Sequence, residues 1–178
     1  MKTHKYFITG LPRSGTAWLA NFLTWDNSFC HHEGIYGCND MDQFEAKMDE
    51  SDIEYVGDSD TALLLLLPAL YRKFPDAKYI FIRRNPEDAH QSLLNGGAVS
   101  GHMDESVRCL NWGIRNIPSL VMDFDRVFED VEAIWDYIGL PDFPQKRAEL
   151  LQYMKMDELD HLLNRSLIDF SGLMREVA

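Results

Sequence analysis

Five short apolar stretches, separated by helical patterns, constrain what this chain can fold into more than any other feature. They are Lys5–Thr9, Ser28–His32, Ile53–Gly57, Lys78–Arg83 and Ser119–Phe124. Several are apolar at consecutive positions, the pattern of parallel strands covered on both faces. Between them, Thr16–Thr24 gathers Trp18, Leu19, Phe22 and Leu23 on one helical face, and the leucine-rich Thr61–Phe74 ends in Arg72 and Lys73, charges that suit a helix C-terminus. Asn85-Pro86-Glu87-Asp88 has the order of a helix start: a capping Asn, Pro at the first helical position and two acids in the first turn. Val127–Ile138 runs into the stop signal Gly139-Leu140-Pro141, and the tail from Phe143 to Ala178 reads as helical. This alternation predicts an α/β domain of three layers, with a mainly parallel central sheet flanked by helices. At 178 residues, without repeat or linker, a single domain over residues 1–178 is expected. In such sheets ligands bind beyond the carboxyl ends of the strands.

At that end of the first strand stands Gly10-Leu11-Pro12-Arg13-Ser14-Gly15-Thr16, followed by a helix. A glycine-rich turn into a helix N-terminus offers backbone N–H groups and a favourable dipole to an oxyanion. The glycine spacing is that of a nucleotide P-loop, but no Lys follows Gly15, and Thr16 comes directly after it. Without the lysine that reaches the outer phosphates, ordinary Mg·ATP chemistry is disfavoured. The loop's cation is Arg13, whose planar fork suits a face of oxygens. The alternative is a turn that merely joins strand to helix.

Charge separates this segment from the rest. The chain is acidic, with 17 Lys+Arg against 29 Asp+Glu and a net charge of −12, which excludes sequence-independent nucleic-acid binding driven by phosphate neutralisation. Residues 1–25 nevertheless hold Lys2, Lys5 and Arg13 and no acid, whereas residues 40–60 hold nine acids and only Lys47. Acids gather in 40–60 and 121–142, and both groups are expected to lie away from the anion site. The longest apolar run, Ala62–Leu67, is far short of the ~20 residues of a membrane helix, and no signal-peptide core follows Met1. Cys30, Cys38 and Cys109 lack disulfide or zinc-site spacing, so a cytoplasmic protein with reduced thiols is expected.

Two of these segments together resemble the sulfotransferases that use 3′-phosphoadenosine-5′-phosphosulfate (PAPS). Tyr6–Leu19 is similar to the family's 5′-phosphosulfate loop, and Phe81–Ser92 to its 3′-phosphate motif, in which an Arg before Asn-Pro and a Ser eight residues later hold the 3′-phosphate. Val121–Asp125 and Gly139-Leu140-Pro141 resemble the family's late strand and turn. The resemblance implies a P-loop-type sulfotransferase that moves a sulfuryl group from PAPS to a hydroxyl of a small molecule, glycan or peptide. It would release 3′-phosphoadenosine 5′-phosphate (PAP), with no metal required and no nucleic-acid or membrane partner.

By the same resemblance Arg13 stabilises the leaving phosphate, while Ser14, Gly15, Thr16 and Ala17 cradle the 5′-phosphate, Thr16 also through its hydroxyl. Trp18 either stacks on adenine or fills the core, and Arg84 with Ser92 takes the 3′-phosphate. Ser92 lies seven residues from Asn85, on the same helix face. Strand alternation sends Arg83 the other way, into a surface ion pair. For the base, family branches with Arg in the loop carry a Glu shortly after the second strand, which points to Glu33. His32 is the competitor, as in the cytosolic branch, and His31 comes third.

Two departures stand out. The family's G-[DE]-K turn has Ser59 in place of Lys, and no Gly- and Lys-rich closing segment is found in Phe143–Ala178. A P-loop kinase and a non-catalytic nucleotide-binding protein are the competing readings. Acceptor contacts are expected from 40–60 and from Asn95–Asp104, a candidate flap.

Overall fold

The computed structural model describes residues 3–49, 52–97, 102–145 and 148. Five strands form one sheet: β1 (His4–Gly10), β2 (Ser28–His32), β3 (Tyr55–Ser59), β4 (Lys78–Arg83) and β5 (Ser119–Asp123). All neighbours are parallel, in the order β2-β3-β1-β4-β5. Among the described residues six helices accompany them: α1 (Thr16–Leu23), α2 (Met41–Asp49), α3 (Leu63–Lys73), α4 (Pro86–Asn95), α5 (Met103–Asn116) and α6 (Val131–Ile138).

The consecutive apolar residues of β1 serve two cores, one on each face of the sheet. Tyr6 and Ile8 pack with α1 and α6 around Trp18, Phe22 and Trp135. Phe7, on the opposite face, packs with α2, α3 and α5 around Phe44, Leu67 and Leu110. This is why the strand is apolar throughout and why the domain has three layers. α6 owes its seat to Val131, Ile134, Trp135 and Ile138, spaced to share one face.

β2 and β4 have the expected limits, and Asn85 caps α4 as read, its side chain accepting from the N–H groups of Glu87 and Asp88. β3 begins two residues later than expected and reaches Ser59, and α6 begins at Val131 because a 3-10 turn over Phe124–Arg126 precedes it. α2 and α5 are additions. α2 buries only Phe44 and Met48 among its charges, so its apolar stripe is too narrow to read. The expected helical tail and the core of the Asn95–Asp104 flap lie outside the described residues. No helix among the described residues is long and apolar enough to cross a membrane, and all three cysteines are free thiols.

Candidate active site

The carboxyl ends of all five strands point the same way, so the loop after β1, Glu33 after β2, Asp60 after β3, Arg84 after β4 and Asp125 after β5 share one edge. Strand pairing therefore brings Arg84 beside the Gly10–Thr16 loop, since β4 is β1's neighbour. Arg13 adopts a left-handed backbone (φ 67°), a conformation that costs a non-glycine residue ~1 kcal/mol. Two contacts hold it there: the Arg84 Nη1 donates to the Arg13 carbonyl, and the Arg13 Nε donates to Ser92 Oγ at 3.4 Å. The Arg84 guanidinium also lies over the Phe124 ring, 4.1 Å from its centroid. Burial, with the charge of Arg13, pulls the Arg84 pKa below its usual value against the pull of Asp88 and Asp125.

Gly15 caps α1 from a left-handed backbone (φ 79°), and Thr16 opens the helix. The first N–H groups of α1 have no carbonyl one turn earlier to bond. Ser14 is fully buried and its hydroxyl has no hydrogen-bond partner among the described residues. Phe124 and Phe128 cover Gly15 from above. Trp18, open between cofactor and core in the sequence, belongs to the core: it is 2% exposed, stacked on Phe22 and edge-on to Phe128. Ala17 beside it is half-buried.

A cleft of about 720 Å³ opens next to Arg84, lined by Arg83, Arg84, Asn85, Ser92, Phe124 and Asp125 among others. Its wall is not purely basic. Asp123 and Asp125, expected to lie away from the anion site, face the cleft because β5 is β4's neighbour. Asp123, at the end of β5, is engaged by Arg83 at 2.9 Å, the exposed ion pair expected for Arg83. With Arg83 paired in this way, Arg84 is the other arginine lining the cleft, beside the loop's own Arg13.

The candidate bases stand on the other side of the loop, at the end of β2. Glu33 is exposed and left-handed (φ 59°). The His32 Nδ1 is 2.9 Å from the Ser59 carbonyl, which accepts only, so Nδ1 carries the proton and Nε2 presents its lone pair. Ser59 Oγ in turn donates to the Thr16 carbonyl at 2.8 Å, tying His32 to the start of α1. Asp60, the next residue along the chain, has its pKa raised, by burial and by Glu33, against the pull of the Ala62 N–H and His32. His31 faces the α2 side, where burial and then Lys47 hold its pKa down to about 4.

Sequence reasoning noted Asp58 only as the acid of the G-[DE]-K-like turn, and missed its hold on Gly34, the linking role of Ser59, and Phe124. Ser59 drew notice only as a missing Lys. Phe124 carried no signal, since its role comes from β5 lying next to β4.

No protein-family model matches the chain, and no curated protein matches it. The crystal structure of mouse sulfotransferase SULT7A1 complexed with PAP does match, with a TM-score of 0.58. The fold is sulfotransferase-like. Sequence identity over that match is 16%, it covers 89% of this chain, and the chain spans 66% of the mouse enzyme's length.

Proposed function

We propose that this protein is a PAPS-dependent sulfotransferase acting on a hydroxyl acceptor, in the cytoplasm and as a single domain. The observation that carries the reading is the convergence of Arg13, Arg84 and Ser92. Three groups suited to phosphate oxygens, drawn from two distant segments, meet at one sheet edge in a fold shared with a PAP-bound enzyme. The free thiols are in keeping with the cytoplasmic setting.

The site residues fit the nucleotide. The orphaned Ser14 hydroxyl and the N-terminal end of α1 suit a 5′-phosphate, and Arg84 with Ser92 beside the cleft suits a 3′-phosphate. PAPS, when bound, supplies an activated sulfuryl group on a phosphate leaving group. Arg13 and the amides of Ser14, Gly15 and Thr16 would stabilise the charge that grows on that phosphate. A base at the end of β2 would take the proton of the acceptor hydroxyl. We take His32 ahead of Glu33, because a carbonyl fixes the orientation of its ring while Glu33 stands exposed.

The reading is tested by calorimetric titration with PAP, and separately with ATP and Mg²⁺. PAP binding without metal is expected; binding of Mg·ATP with indifference to PAP would replace it by the kinase reading. The base is tested by PAP release from PAPS with simple hydroxyl acceptors. His32→Gln is expected to lower turnover by about 100-fold or more with PAP affinity unchanged, the usual range for a lost general base. Glu33→Gln is expected to retain most of it, and the reverse result assigns the proton to Glu33.

A further inference from the structure

We infer that Asp58 is a positioning residue for the end of β2: with Lys47 it holds Gly34 at both backbone groups, and so sets how His32 and Glu33 stand at the mouth of the site. Its bearing on catalysis rests on the function proposed above, whereas the clamp itself is a matter of geometry. Asp58 is fully buried on β3 and its Oδ1 accepts the Gly34 N–H at 3.0 Å. Its other oxygen, Oδ2, is buried with no hydrogen-bond partner among the described residues, and the nearby Ile35 N–H helps to lower the carboxyl's pKa. From α2, Lys47 Nζ donates to the Gly34 carbonyl at 2.7 Å. One residue is thus gripped by an anion at its N–H and a cation at its carbonyl, and charge-assisted bonds of this kind are roughly twice as strong as neutral ones.

Gly34 has no space for anything larger. A Cβ there would sit 2.8 Å from the His31 Cβ and 3.1 Å from the Asp58 Cγ. Glu33 precedes it with φ 59°, a conformation that persists only where its surroundings over-determine it. The clamp on Gly34 and the Tyr36 N–H to the Glu33 carbonyl, at 3.0 Å, supply that constraint.

The clamp is also proton-linked. Burial pushes the Asp58 carboxyl up to about 7, with Asp60 raising it and the Gly34 and Ile35 amides and Lys47 lowering it. Three of the groups around it keep one charge state near neutrality. Tyr6 on β1 and Cys30 on β2 are buried with pKa values pushed well up, and His31, opposite on β2, is held neutral. Because the folded pKa lies above the unfolded value of ~3.9, the folded chain keeps this proton between the two. The stability it contributes is full below ~4 and declines as pH rises towards 7. Over that rise the carboxylate becomes the better acceptor, so the turn gains definition while the chain loses stability.

The test is an NMR titration of the full chain between about pH 5 and pH 9, a window between the usual carboxyl and amine ranges. The Gly34 and Ile35 amides are expected to move with one midpoint near 7, shared with the Asp58 carboxyl carbon. In Asp58→Asn that movement vanishes and the Gly34 amide exchanges about tenfold faster, as expected for a locally loosened turn. Flat wild-type amides would overturn the clamp without recourse to any variant, as would a titration that survives in Asp58→Asn. PAP affinity in Asp58→Asn is expected within about twofold of wild type, the sites being separate; its loss would place Asp58 in the nucleotide site instead. A wild-type chain indifferent to PAP removes the catalytic bearing and leaves the amide titration to decide the clamp.

Discussion

Replacing Arg84 by alanine is expected to weaken PAP binding about 100-fold, the loss of two charge-assisted hydrogen bonds of about 1.5 kcal/mol each. Two consequences of the same truncation act together. The cleft beside Ser92 loses one of its two lining arginines, the other, Arg83, being paired with Asp123. The Arg13 carbonyl loses its donor, so the left-handed residue that carries the loop's own cation is freed to relax. Arg84→Lys restores the charge but not the planar fork, and is expected to recover only part of the affinity. Calorimetry with PAP reads both variants, and thermal melts check that they fold. The site is an open cleft at the sheet edge, so melting temperatures are expected within a few degrees of wild type. An Arg84→Ala protein that binds PAP within about threefold of wild type, under 1 kcal/mol, would take the 3′-phosphate away from this residue.

The largest expected effect on stability comes from Gly57→Ala. Gly57 stands opposite Tyr6 in the β1–β3 register, and the Tyr6 ring lies flat across it. A Cβ at Gly57 would be 2.1 Å from one ring carbon and 2.3 and 2.4 Å from two others. The ring has nowhere to go, being fully buried with its hydroxyl 3.0 Å from Ser28 Oγ. Overpacking usually costs about 1–3 kcal/mol, and a clash this deep between two central strands is expected at or above the upper end. For a chain of this size that is a fall of about 10 °C in melting temperature. Tyr6→Ala in the Gly57→Ala background should remove the clash, so the double variant is expected to be less destabilised than the sum of the singles. Strict additivity in urea unfolding of the four proteins would refute the contact. The effect reaches the site as well, because a displaced β3 carries Asp58, which grips Gly34, and Ser59, which ties His32 to α1.

Much of the scaffold could be read in advance because its signals are local. The consecutive apolar residues of β1 and β4 follow from burial on both faces, and Asn85-Pro86 starts α4 through a cap that depends on three residues only. α2 escaped because few of its residues are buried, leaving little periodicity among the charges; α5 does carry a regular apolar stripe, Met103, Val107, Leu110 and Ile114, but its start lies in the stretch read as a flap. The loop residues and Arg84 could be proposed as partners from their motifs. That Trp18 belongs to the core could not, since an aromatic one turn into a helix suits either role until its neighbours Phe22 and Phe128 are known.

What the sequence by itself determined is chemistry of short range: an acid-free, glycine-rich turn that ends a buried strand and opens a helix, and an arginine at the end of another strand. What only the tertiary structure decided is adjacency, because strand order is set by packing of the whole sheet and not by any one segment. β4 lies against β1, which joins Arg84 to the loop; β5 lies against β4, which brings Asp123 and Asp125 to a cleft the charge pattern had assigned to cations alone. β3 lies between β2 and β1, which puts a buried carboxylate under the turn that carries Glu33 and a serine carbonyl against His32.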